Sequence, residues 1–181
     1  MMSDSHDILD PAVDAALALA AERSWREVSL RDIAERAGVP LADLYARAAS
    51  KWSLMARLSD RLDRAALETA ATPSDDLHDR LFDAAMARVE AMEPHRLALM
   101  AIARADTPVM LLPHLPRTAR AILEAAGVDA TPPRVVAMTA VWARTVQVWR
   151  DDEGALNRTM AEIDKRLKQM RERLNRIRQG F

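Results

Sequence analysis

The chain has 181 residues, enough for one sizeable core or for a small head joined to a larger body, since chains of this size remove about 70% of their extended surface from water. Lys and Arg number 26 against 27 Asp and Glu, a net charge of −1, so any attraction to nucleic acid or membrane must come from a local patch. Half the residues are hydrophobic and 29% are charged, which excludes a disordered chain, and the absence of Cys excludes disulfide frameworks, thiolate metal sites and cysteine nucleophiles.

The acidic start MMSDSHDILD lacks the basic stretch and apolar run of a secretory signal, and no apolar stretch reaches the roughly 18 residues of a membrane span. A cytoplasmic location is the simplest expectation. Four Gly, little Val-Ile-Thr alternation and a dominance of Ala, Leu, Met, Arg and Glu predict an all-α protein of about nine helices. The first spans about Ile8–Arg23, with Leu9, Val13, Ala16, Leu17 and Ala20 on one stripe and Asp7, Asp10 and Asp14 near its positive end.

A second, short helix starts at Ser29, where Ser29-Leu-Arg-Asp32 forms an approximate capping box. Gly38-Val39-Pro40 supplies a left-handed turn and a helix-starting proline, and a very short helix follows at Leu41–Arg47. Lys51 to about Ala70 reads as a long helix. Pro73, Pro94, Pro113, Pro116 and Pro132-Pro133 then mark joints between helices near 75–91, 95–106, 115–126, 133–150 and 153–178.

Residues 29–47 thus read as helix, tight Gly turn, helix, each too short to be stable without packing. Together with Ala15–Ala21, Val28–Val39, Leu44-Tyr45 and Ser50-Lys51, the stretch of about residues 8–60 resembles the N-terminal head of the TetR family of transcriptional regulators. The resemblance implies a homodimer with a DNA-binding head at residues 1–51 and a ligand-binding and dimerisation body at 52–181. It implies double-stranded DNA as a partner, with Ser29, Tyr45 and Lys51 at phosphates and Pro40, Leu41, Ala42 and Asp43 facing base edges.

The chemistry is consistent with those roles. A helix start offers free N–H groups to a phosphate, Asp accepts from a cytosine amino group, and Ala or Leu touches a thymine methyl. Each residue also has a plainer reading: a helix cap for Ser29, packing for Tyr45, a solvated charge for Lys51. Residues 1–51 carry six bases against nine acids, a net of −3, so DNA binding requires the bases to cluster on the contact face. Ala48 stands where the family usually has a large aromatic.

Further along, Arg134–Arg150 is apolar almost all round, as in a core or interface helix. Met86, Met100, Met138, Trp142 and Trp149 are candidates for the wall of a pocket for a small apolar ligand, or for ordinary packing. In the last helix Leu156, Met160, Ile163, Leu167, Met170 and Leu174 repeat at steps of four and three, a stripe suited to helix pairing, and with Val135 they are the candidate dimer interface. Asp164–Arg178 carries seven bases and two acids, a net of +5, as on a helix that lies against an anionic membrane.

Residues from Trp149 to Leu167 also resemble, more loosely, the tail of the TetR-fold lipid-binding proteins of ubiquinone biosynthesis, which implies as an alternative a lipid presenter with peripheral membrane contact and no DNA binding. No phosphate loop, nucleophile elbow or two-histidine metal motif occurs, and His6, His78, His95 and His114 lack ligand spacing. No catalytic residue, metal or cofactor is expected.

Overall fold

The computed structural model describes residues 8–105, 114–152 and 154–179. Among them the regular elements are all helical: α1 (Leu9–Glu22), α2 (Leu30–Ala37), α3 (Leu41–Arg47), α4 (Lys51–Glu68), α5 (Leu77–Met92), α6 (Arg96–Ala105), α7 (Leu115–Ala125), α8 (Pro132–Arg150) and α9 (Asn157–Gln179), with single 3-10 turns at Thr69–Ala71 and Glu93–His95. The expected all-α class is observed. No helix among the described residues is long and apolar enough to cross a membrane.

Helix ends follow local chemistry. α5 begins two residues later than expected because the Asp76 carboxylate accepts from the backbone N–H groups of His78 (2.7 Å) and Asp79 (3.3 Å). α9 begins at Asn157 rather than near 153. The buried Asp152 carboxylate accepts from the backbone N–H (2.8 Å) and hydroxyl (2.7 Å) of Thr159, and Leu156 precedes the helix with φ of 56°.

The chain divides into two compact units. The first contains α1–α3, α4 through Arg61, and α6; the second takes α4 from Leu62, then α5 and α7–α9. This differs from a cut after residue 51 for a physical reason. Arg57 pairs with Asp10 at 3.1 Å and Arg61 with Asp14 at 2.7 Å, so the first half of α4 is tied to α1, and α6 also packs on α1.

The core of the first unit is Val13, Ala16 and Leu17 of α1, Trp25 and Val28 of the connection, Ile33, Leu44 and Leu54, with Ala98 and Ile102 from α6. Burial of each large side chain stabilises by about 1.5–3 kcal/mol. In the second unit Leu81, Val89, Ile122, Leu123, Met138, Val141, Ile163 and Leu167 surround a polar centre. Arg88 Nε donates to Asp63 Oδ1 at 2.6 Å, Thr118 donates to the same oxygen at 2.9 Å, and the Arg88 guanidinium lies 4.7 Å from the Trp142 ring centroid. Burial pulls the Arg88 pKa below its ordinary value and the Asp63 charge opposes that shift.

Candidate nucleic-acid interface

α2 is defined at both ends by its own sequence. The Ser29 hydroxyl accepts from the Asp32 backbone N–H (3.1 Å) and donates to the Asp32 carboxylate (2.7 Å), which also accepts from the Ser29 backbone N–H (2.8 Å). The capping box is therefore complete. These Ser29 bonds, backbone first, hold the Asp32 carboxyl down to about 2, with Arg23 at 2.9 Å adding to the effect.

At the other end Gly38 takes φ 66° and ψ 30°. Its N–H donates to Glu35 and the N–H of Val39 donates to Ala34, which ends the helix in a left-handed turn. Pro40 (φ −60°) then opens α3. Leu44 is fully buried, and at 100° per residue Ala42 and Ala46 face the opposite side, flanked by Tyr45 and Asp43. Pro40, Ala42, Asp43, Tyr45, Ala46 and Arg47 are exposed, and Leu41 is half-buried. Tyr45, at 61% exposure, is a surface residue rather than a packing one.

Two of the expected phosphate contacts have partners within the protein. The Ser29 hydroxyl is spent on the cap, which leaves the N–H groups of Leu30 and Arg31 as the open donors of the helix start. Lys51 is half-buried, and its ammonium donates to the Trp25 carbonyl at 2.6 Å.

Four of the nine acids of the head are paired. Asp10, Asp14, Glu22 and Asp32 bind Arg57, Arg61, Arg36 and Arg23 respectively. Arg31, in the first turn of α2, and Arg47, in the last turn of α3, are exposed and have no ion-pair partner among the described residues. Neither was singled out from the sequence, although each sits off the buried face at an open end of the two-helix unit. Ala48 is buried and closes α3 against the core with a small side chain.

Residues 12–58 match the family model described as bacterial regulatory proteins, tetR family. The head, with its helix, left-handed Gly turn and helix, is thus similar to the N-terminal domain of that family. The fold extends the likeness over nearly the whole chain. The structure of a TetR transcriptional regulator from Nitrosomonas europaea ATCC 19718 superposes with a TM-score of 0.71 at 25% identity, covering 90% of this chain and 96% of that one. A TetR transcriptional regulator from Rhodococcus sp. RHA1 gives 0.69 at 19% identity, covering 89% and 93%. The dihydroxyacetone kinase operon activator DhaS gives 0.62 at 9% identity, covering 94% and 98%. No curated protein matches the sequence.

The remaining candidates of the TetR-like body fall in the second unit, apart from Met100, which is half-buried in α6 of the first. Met86, Met138, Trp142 and Trp149 are buried. The surroundings of the two tryptophans are more polar than an apolar wall: Trp142 carries Arg88 on its ring, and the Trp149 indole N–H donates to Glu93 at 2.8 Å.

The residues of the expected interface stripe differ in burial. Ile163 and Leu167 are buried in the core of their own unit, where α9 packs on α8 and α5, and Val135 is also buried. Burial there is intramolecular and offers nothing to a partner. Leu156 lies ahead of the helix and off the stripe. Met160 (41%) and Val136 of α8 (71%) are exposed, Met170 is half-buried, and the Leu174 side chain lies outside the described part.

Proposed function

We propose that the chain is a transcriptional regulator that binds operator DNA as a homodimer and responds to a small apolar ligand held in the second unit. The observation that carries this reading is the surface of α2 and α3. Ala42 and Ala46 stand exposed on the side of α3 opposite Leu44, flanked by exposed Asp43 and Tyr45, and the ends of the two helices carry Arg31 and Arg47, which have no ion-pair partner among the described residues. Small side chains let the helix approach base edges closely, Asp43 suits a cytosine amino group, and Tyr45, Arg31, Arg47 and the N–H groups opening α2 serve phosphates.

In this reading Lys51 works mainly by fixing Trp25 and thus the start of α4. Dimerisation uses the outer faces of α8 and α9, which pack on each other and expose the apolar side chains Val136 and Met160. The ligand acts by population shift: it favours a dimer whose heads no longer match successive major grooves about 34 Å apart. Footprinting on the DNA upstream of the coding region tests the proposal. The expected result is two protected half-sites about one helical turn apart, weakened by Arg47→Ala. Uniform protection, or none, overturns it.

A further inference from the structure

A groove of about 640 Å³ opens in the first unit between the C-terminal ends of α1 and α6 and the connection that follows α1. Its walls carry three arginines, Arg23, Arg26 and Arg104, together with Trp25 and the small residues Ala20 and Ala101. Apart from Glu22 and Ser24, the polar side chains of these walls are donors, and they stand beside the backbone carbonyls that end α1 and α6. Arg23 spends one terminal nitrogen on Asp32, and Arg26 spends Nε on the Ala105 carbonyl at 2.7 Å, so both keep further N–H groups. Arg104 is exposed and has no partner among the described residues.

The Trp25 indole N–H is buried and has no acceptor among the described residues. The negative side chain of the groove, Glu22, is already neutralised, since both of its oxygens are taken by Arg36. A buried donor without an acceptor is costly, and three arginines on the walls of the same groove favour an occupant that carries negative charge.

We propose that this groove is a binding site for a small oxyanion, a carboxylate or phosphate compound whose apolar part rests on Ala20 and Ala101. The site lies wholly within the first unit and is independent of the ligand proposed for the second. Its occupant would touch the residues that set the head's geometry: Arg23 holds the α2 cap through Asp32, and Trp25 holds Lys51 at the start of α4. Binding here is therefore placed to tune the DNA-contacting helices directly.

The test is a titration of the full-length protein, labelled with nitrogen-15, in which the indole resonance of Trp25 is assigned by its loss in Trp25→Phe. The probes are inorganic phosphate and citrate at constant ionic strength, with chloride as reference. The expected result is a saturable downfield shift of that resonance with phosphate or citrate and not with chloride. Arg104→Ala removes an exposed side chain that has no partner among the described residues, so the fold should be retained, and it should weaken the effect roughly tenfold. Arg120→Ala, on α7, should leave it unchanged. A shift that does not saturate, that chloride reproduces, or that survives Arg104→Ala overturns the proposal. So does a shift produced by duplex DNA alone, which would make the occupant the DNA backbone.

Discussion

The Lys51 ammonium donates to the Trp25 carbonyl at 2.6 Å and lies 4.5 Å from the centroid of the same residue's indole ring. One side chain thus binds both faces of a corner, the polar carbonyl and the aromatic ring, and ties the start of α4 to the connection between α1 and α2. Lys51→Met keeps the aliphatic stem and loses both contacts. It is expected to lower the stability of the head by about 1–2 kcal/mol, read from urea unfolding.

Phosphate contacts have a different signature. Arg31 and Arg47 have no internal ion-pair partner among the described residues, so removing either should cost little stability. Arg31→Ala and Arg47→Ala are each expected to reduce the slope of log affinity for DNA against log salt by about one unit, with unchanged unfolding midpoints. Lys51→Met should change that slope less than Arg47→Ala does. Equal slopes for all three variants would remove the distinction between clasp and contact.

The capping box makes the head sensitive to acid. The Asp32 carboxyl is held at about 2 by Ser29 and Arg23, against an ordinary value of 3.8. A depressed folded-state pKa contributes stability that is fully present above the unfolded value and is lost as pH falls through the folded one. The contribution should therefore decline between about pH 4 and pH 2. Asp32→Asn should abolish this part of the pH dependence in thermal unfolding, and a carboxyl NMR titration should place the Asp32 midpoint near 2.

In the second unit the partners are buried and the effects should be larger. Asp63→Leu leaves the Arg88 charge in the core without its counterion, and the expected loss is about 3–5 kcal/mol. The double change Asp63→Leu with Arg88→Met replaces the pair by apolar groups and should recover most of that loss. Urea unfolding of the two variants decides it: a double variant no more stable than the single one contradicts the account.

The parts of this structure legible in the sequence are those encoded locally. Ser29, Asp32, Gly38 and Pro40 lie within twelve residues of one another, and each acts on the backbone within one turn of itself, so α2, the turn and α3 could be placed from residue type alone. The charge pattern could not. A count over residues 1–51 gives a net of −3, yet two of its acids, Asp10 and Asp14, are neutralised by Arg57 and Arg61, 47 residues further on. For the same reason the centre built from Asp63, Arg88, Thr118 and Trp142 was invisible, because four different helices supply it. The regular steps of α9 identified an apolar stripe, but periodicity does not say whether a stripe meets its own core or another molecule. Ile163 and Leu167 meet their own core.

The central claim is that the exposed side of α3 reads duplex DNA, and the salt dependence of binding to the chain's own upstream DNA, compared with a scrambled duplex, tests it most directly. The account predicts binding at least about a thousandfold tighter to the upstream sequence, with affinity for both duplexes falling steeply as salt rises from about 50 to 200 mM. Weak, equal binding to both duplexes with little response to salt would contradict it.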